Sequence, residues 1–129
     1  MHKIDNFSVV VPAGTYILGD PCYSVPDADW GILLDSCEFF NLPVGTVGRF
    51  NVLAFCTDYG NGEYEGSDGI LYSVDSGLIG LVPVEYATLK YPDMARVIAF
   101  AENTICQVDR GILYFGDVVI DTRPCDVIN

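Results

Sequence analysis

The sequence predicts a single, mainly β domain: an antiparallel β-barrel or sandwich-like fold with one short helix. Three observations predict it. Short apolar runs rich in β-branched and aromatic residues recur along the 129 residues. Turn-forming Gly, Asn, Asp and Pro residues separate these runs at short intervals. The length suits one domain with its own hydrophobic core, so we assign residues 1–129 to one unit.

The first third of the chain predicts a pair of strands followed by the helix. Residues 8–11 and 15–18 are apolar runs on either side of Pro12-Ala13-Gly14, a pattern typical of strand, turn and strand. Pro26 and the acids after it are typical of a first helical turn. We therefore expect a short helix near residues 29–37, with its apolar side chains packed on a sheet. These side chains are Trp30, Leu33 and Leu34.

The rest of the chain predicts further strands. Residues 49–57 form a mostly apolar run that indicates a central strand, and a glycine-rich turn follows it. Shorter runs predict strands or hairpin arms over residues 63–65, 70–74, 78–82, 96–101, 104–108, 112–116 and 118–122. Pro83 either ends its strand or places it on a sheet edge, and residues 84–93 leave room for one helical turn. We expect about eight to ten strands in all.

The charge of the chain narrows the classes of partner. It carries 18 acids and 6 bases, for a formal net charge of −12. No base lies between Arg49 and Lys90, whereas that interval contains Asp58, Glu63, Glu65, Asp68, Asp75 and Glu85. Such a field repels nucleic acid and anionic membrane, so we expect no direct binding to either. An acidic face would instead attract a basic surface on another protein, although solubility is the commoner reason for an acidic composition.

The start of the chain and its cysteines indicate the compartment. One lysine and then an acid precede residue 6, without the apolar stretch of a secretory signal. The five cysteines, an odd number without any CxxC pair, predict reduced thiols that pack as small apolar residues. We therefore expect a cytoplasmic protein.

Four short motifs each join a strand-like run to a turn that carries an acid. They occupy residues 19–23 (Gly-Asp-Pro-Cys-Tyr), 57–64 (Thr-Asp-Tyr-Gly-Asn-Gly-Glu-Tyr), 74–80 (Val-Asp-Ser-Gly-Leu-Ile-Gly) and 115–122 (Phe-Gly-Asp-Val-Val-Ile-Asp-Thr). With Trp30, their order and spacing resemble an uncharacterised family of small proteins from phages and prophages. Asn61 departs from that pattern, which usually has Asp there. The resemblance implies a phage-type origin and the cytoplasm of an infected or lysogenic bacterial host, and it implies no reaction.

The residue inventory favours binding over catalysis. His2, the only histidine, lies at the start of the chain, where it makes a poor general base or metal ligand. Cys22 is the thiol at a marked position; it is either a nucleophile or, as the commoner case, a structural turn residue. The residues lean against enzyme activity but leave it open, and we expect no cofactor, with a divalent cation as the alternative.

The strand-end carboxylates are the remaining candidates for chemistry. Asp20, Asp58, Asp75 and Asp117 each follow or interrupt a strand-like run. If those strand ends meet at one edge, Asp20, Asp58 and Asp75 are candidate metal ligands; otherwise each aspartate caps its own turn. Nearby aromatic side chains combine apolar area with a polar group, as binding sites require. The candidate ligand- or partner-binding residues are Asp20, Cys22, Tyr23, Trp30, Asp58, Tyr59, Glu63, Tyr64, Asp75 and Ser76.

Two hypotheses of function follow. The leading one is a phage-type cytoplasmic accessory protein that binds a host factor stoichiometrically through an acidic face, in an anti-defence or host-takeover role. The alternative is a small-molecule or metal-binding module that sequesters or cleaves a ligand at the strand-end carboxylates. A minor virion or assembly component is a third interpretation, and the sequence leaves the oligomeric state open.

Overall fold

The computed structural model describes residues 6–88 and 95–124, which form eleven strands, one α-helix and one 3-10 turn. The strands are β1 Asn6–Val11, β2 Gly14–Gly19, β3 Val44–Val47, β4 Phe50–Cys56, β5 Gly62–Glu65, β6 Leu71–Val74, β7 Leu78–Pro83, β8 Ala95–Phe100, β9 Thr104–Asp109, β10 Ile112–Phe115 and β11 Val118–Asp121. The 3-10 turn spans Pro21–Tyr23 and α1 spans Asp27–Ser36. The prediction of a mainly β fold with one short helix is confirmed.

The strands form three antiparallel sheets that share one interior. A four-stranded sheet has the order β1-β9-β10-β11, and a five-stranded sheet has the order β3-β4-β7-β2-β8. The β5-β6 hairpin is separate and contributes Tyr64, Tyr72 and Val74 to the same buried cluster as both larger sheets. Of the two predicted architectures, the sandwich is the one the structure has.

Aromatic side chains fill the interior where the two larger sheets face each other. Phe55 on β4 contacts Phe7 on β1 and Phe115 on β10, with ring centroids 6.4 and 5.6 Å away. The alternating burial along β9 and β10 places one row of side chains in this core and the other row outside it. Burial of this apolar area is the main stabilising term of the fold.

Helix α1 covers the outer face of the five-stranded sheet. Leu33 is fully buried in a second apolar cluster with Val52 and Val82, and Trp30 and Leu34 pack against that cluster. The predicted packing of the helix is therefore confirmed, although α1 begins at Asp27, two residues earlier than expected. Because β4 and β7 are covered on both faces, their sequences are almost continuously apolar.

Two details of the five-stranded sheet go beyond the sequence analysis. Of the two alternatives for Pro83 the first holds, because Pro83 ends β7, and β7 lies between β4 and β2 and is not an edge strand. This central position needs Gly80, since a Cβ there would lie 1.8 Å from the carbonyl oxygen of Leu53. The short edge strand β3 was not predicted from the sequence and raises the number of strands above the expected ten.

The connection after β7 is only partly described. Residues 84–86 form a turn in which the Tyr86 N–H donates to the Pro83 carbonyl, and residues 89–93 of the predicted helical turn lie outside the described residues. Within residues 6–88 and 95–124, no helix is long and apolar enough to cross a membrane.

Candidate functional site

The motif turns meet at one end of the sandwich, which we call the rim. The rim comprises residues 20–23, 57–62, 75–77, 109–111 and 121–122. Three contacts define it: Asp20 accepts hydrogen bonds from the 75–76 turn, the Thr57 N–H donates to the Gly77 carbonyl, and the Tyr59 N–H donates to the Thr122 carbonyl. Asp117 is absent from the rim, because the Gly116-Asp117 turn lies at the opposite end of β10. The condition under which the four strand-end carboxylates would converge is therefore not met for Asp117.

Asp20 is the centre of the rim. Its side chain is fully buried and accepts four hydrogen bonds. Oδ1 accepts from the Cys22 N–H at 2.9 Å and the Ser76 hydroxyl at 2.5 Å, and Oδ2 accepts from the N–H groups of Asp75 and Ser76, both at 2.7 Å. A buried carboxylate is tolerated only when its oxygens are hydrogen-bonded in this way. Asp20 therefore joins the 3-10 turn after β2 to the turn before β7.

Tyr23 strengthens the same connection. Its hydroxyl donates a 2.6 Å hydrogen bond to Oδ2 of Asp75, while its ring is almost fully buried. Burial, the hydrogen bond to Asp75 and the nearby negative charges all raise the pKa of the Tyr23 phenol. The hydroxyl consequently remains a donor at neutral pH. Asp75 itself is an exposed residue.

Two buried threonines hold the 57–62 turn against both sheets. The Thr57 hydroxyl donates to the Gly60 carbonyl at 2.6 Å, and the Tyr64 hydroxyl donates to the same carbonyl at 2.6 Å. From the four-stranded sheet, the Thr122 hydroxyl accepts from the Asp58 N–H at 2.8 Å and donates to the Gly111 carbonyl at 2.6 Å. Sequence reasoning placed both threonines inside motifs but did not assign them a role.

Gly111 is required where the two sheets approach at the rim. It has a φ of +86°, and a Cβ at this position would lie 2.7 Å from the Cβ of Asp58. Both the backbone conformation and the close approach therefore exclude a side chain.

The outer side of the rim and hairpin presents acids and aromatic surface to solvent. We call Asp58, Tyr59, Glu63, Glu65 and Asp75 the acidic face; all five are exposed, and Tyr59 is 64% exposed. Glu63 and Glu65 share the outward side of β5, because Tyr64 between them points into the core. Tyr64 is thus a core residue, in contrast to the binding role considered from the sequence.

Trp30 and Cys22 lie apart from this exposed face. Trp30 packs with the second apolar cluster beneath α1, on the outer side of the five-stranded sheet. Cys22 is half-buried in the 3-10 turn, where its N–H donates to Asp20. The four described cysteines form no disulfide, and Cys125 lies outside the described residues. Burial raises the pKa of the Cys106 thiol to about 11, against a smaller lowering effect of the Gly116 backbone.

The strand-end carboxylates do not form a metal centre in the part of the chain that the structure describes. No group of three or more His, Cys, Asp or Glu side chains there is arranged to hold a metal ion. Among the three predicted ligands, Asp20 uses both oxygens to bind protein N–H and O–H groups. For Asp20, the geometry matches the alternative in which the aspartate accepts hydrogen bonds from turn N–H groups and does not bind a metal ion. His2 lies outside the described residues.

One partly buried ion pair was missed from the sequence. Arg96 on β8 donates to Asp68 at 2.7 Å, and the Tyr72 hydroxyl donates to the same carboxylate oxygen at 2.7 Å. Burial raises the pKa of Asp68, but hydrogen bonds from Arg96, Tyr72 and the Ile70 N–H outweigh it, so the pKa is lowered. The pair connects the hairpin to the edge of the five-stranded sheet. No local pattern could have paired these two residues, because Arg96 and Asp68 lie 28 positions apart in the chain.

The four described arginines all have acidic neighbours within the chain. Arg96 pairs with Asp68, Arg110 with Asp109, Arg123 with Asp121, and Arg49 lies 3.9 Å from Glu85. The acids of the acidic face take no part in these four pairs. All five residues of the acidic face are nevertheless exposed to solvent, and Asp58 lies close enough to Arg123 to help raise the pKa of that guanidinium.

Comparison with known proteins adds no family assignment. The chain matches no protein-family model, no curated protein and no solved structure.

Proposed function

We propose that this protein is a phage-type accessory protein of the bacterial cytoplasm that binds a host factor stoichiometrically through the acidic face. The observation that carries the proposal is the exposure of Glu63 and Glu65 on the outward side of β5, together with a 64% exposed Tyr59 whose ring lies near Gly62 at the start of the same strand. Exposed aromatic residues beside charges are typical of interface anchors. The motif resemblance supports the phage setting, and an anti-defence or host-takeover role follows from that setting.

The partner of this face carries a basic surface. The chain has a net charge of −12, and the four described arginines lie beside acids of their own chain. Such a field attracts basic surfaces, repels nucleic acid and accelerates association in a salt-dependent way. A basic groove that normally holds nucleic acid in a host protein fits these requirements.

The side chains at the rim support binding more than chemistry. The oxygens of Asp20 and the hydroxyls of Tyr23, Thr57 and Thr122 are engaged in hydrogen bonds that hold turns together. These groups make the face rigid, and a rigid face loses less conformational entropy on binding. The alternative of a ligand or metal site at the strand-end carboxylates has less support, because Asp20 is already saturated with protein donors.

The experiment is affinity capture from lysate of a host cell with purified protein, compared with two charge variants. The first combines Glu63→Lys and Glu65→Lys on the acidic face. The matched control combines Asp35→Lys and Glu102→Lys, which are also exposed but lie on α1 and after β8. Both variants change the net charge equally, so only the position of the change differs. Asp58 and Asp75 are left intact because their neighbours hold the rim.

We expect one protein to be captured in equimolar amount at about 0.1 M salt and lost at about 1 M salt, where the Debye length falls from about 10 to about 3 Å. The Glu63/Glu65 variant should lose it and the Asp35/Glu102 variant should retain it. Equal capture by both variants, or equal loss, would contradict the proposed face. Failure of wild-type protein to capture any protein would contradict the proposed function.

A further inference from the structure

A cleft opens between the two larger sheets at the end away from the rim. Its volume is about 360 Å³, within the range of small-molecule sites. Val9 and Val11 of β1 form one wall, and Val44, Leu53 and Leu81 of the five-stranded sheet form the other. These side chains belong to the main core or pack against it, so the cleft continues the interior of the sandwich.

The cleft exists because side-chain size changes along the interior. Phe7 and Phe55 lie toward the rim, and Phe115 reaches Phe55 across the space between the sheets. At the other end, valines and leucines face each other and are too short to meet in the same way. At about 30 Å³ per water-sized group, the cleft holds roughly twelve methylene-sized groups. An aliphatic chain of moderate length would complete the packing of this core.

The mouth of the cleft carries one charge of each sign. Arg49 and Glu85 both line it, 3.9 Å apart, with side chains 75% and 69% exposed. This separation is longer than an N–H···O hydrogen bond. The Arg49 guanidinium lies 4.4 Å from the centre of the Phe50 ring, and Phe50 stacks on Tyr86 at 5.0 Å. The aromatic stack therefore positions the arginine beside the cleft.

We propose that this cleft binds a small uncharged amphiphile with an aliphatic chain and an amide head group. The chain would lie among the valines and leucines, where burial of each methylene is favourable. The amide carbonyl would accept from Arg49 and its N–H would donate to Glu85. A carboxylate head has no N–H to donate to Glu85 and is repelled by the negative field of the chain, and an ammonium head has no oxygen to accept from Arg49. The inference is independent of the acidic face and of its partner.

The direct test is an NMR titration of the intact protein with butanamide, hexanamide and octanamide, following the methyl signals of its valines and leucines. We expect shifts confined to Val9, Val11, Val44, Leu53 and Leu81. Affinity should rise up to roughly fourfold for each added methylene, which is the full hydrophobic transfer value. Octanoate and octylamine should bind at least tenfold more weakly than octanamide. Equal binding of all three head groups, or no dependence on chain length, would overturn the proposal.

Substitutions test separately whether the apolar cleft binds the aliphatic chain and whether its charged mouth binds the amide. Val44→Phe should fill the cleft and abolish octanamide binding, and Val9→Phe from the opposite wall serves the same purpose if the first variant does not fold. Arg49→Gln and Glu85→Gln should each weaken binding about tenfold, the effect of one hydrogen bond to a charged group. Arg110→Gln at the rim is the matched control and should bind as the wild type does. Octanamide binding that survives in both filled variants would overturn the assignment of the cleft.

Discussion

Replacement of Asp20 by Asn should destabilise the protein by about 3 kcal/mol. The asparagine has the same shape but offers one oxygen and one amide nitrogen to four donors. In the less costly orientation the nitrogen takes the Oδ1 position, where the Ser76 hydroxyl can reverse and accept from it. The Cys22 N–H then loses a bond to a charged acceptor, which is worth about 1.5–3 kcal/mol. The two N–H groups at Oδ2 keep an acceptor that is now neutral, and the two bonds together weaken by about 1 kcal/mol.

The assay is urea unfolding followed by the fluorescence of Trp30, the single tryptophan, and by circular dichroism. A loss of about 3 kcal/mol should lower the melting temperature by roughly 10 °C for a chain of this size. Ser76→Ala removes one of the four bonds and should cost about half as much. Asp117→Asn, at an exposed turn outside the rim, is the matched control and should change stability by less than about 0.5 kcal/mol. A cooperative Asp20→Asn variant within about 1 kcal/mol of wild type would refute the central role of this carboxylate.

Two further predictions concern titratable groups. Because the pKa of Asp68 is lower in the folded protein than the unfolded value of about 3.9, its stabilising effect is complete above that pH and is lost as pH falls through the folded pKa. Arg96→Gln should therefore lower the free energy of unfolding at pH 7 by about 1–3 kcal/mol. It should also make this free energy less dependent on pH between about pH 5 and pH 2. Urea titrations that show the same pH dependence for the variant and the wild type would contradict the ion pair. The pKa of the buried Cys106 thiol is about 11, so Cys106 should resist iodoacetamide at about pH 8 in the folded protein. The half-buried Cys22 should be alkylated under the same conditions. Equal alkylation of the two cysteines, measured by peptide mass spectrometry, would contradict the burial of Cys106.

The strands and their order along the chain are largely predictable from local pattern. Apolar runs such as that of β4 stand out because the strand is buried on both faces. The edge strand β3 escapes notice because it has only four residues, one of them a glycine, between Pro43 and Gly48. Helix α1 begins earlier than predicted because its start after Pro26 lacks a side-chain cap, the feature that would mark the boundary in the sequence.

The site is less predictable because its contacts are distant in the chain. Asp20 is conspicuous before Pro21, but its burial depends on Ser76, which lies more than 50 positions away. The sequence gives no means to separate a capping carboxylate from a metal ligand in that situation. The same reason hides the cleft, whose walls come from β1 and from strands of the opposite sheet. The exposed acids of β5, in contrast, follow directly from strand alternation around Tyr64.

The pairing of β1 with β9 has a consequence for how the chain folds as it is synthesised. Asn6 lies opposite Asp109, so the two strands are about 100 positions apart. At about 5–20 residues per second, a ribosome needs roughly 5–20 s to make the intervening chain. Throughout that interval the valines of β1 have no sheet to join, and a nascent chain exposes them to chaperones and to other nascent chains. Closure of the sandwich is therefore a late event, and rapid or stalled translation should affect the yield of folded protein more than its final stability.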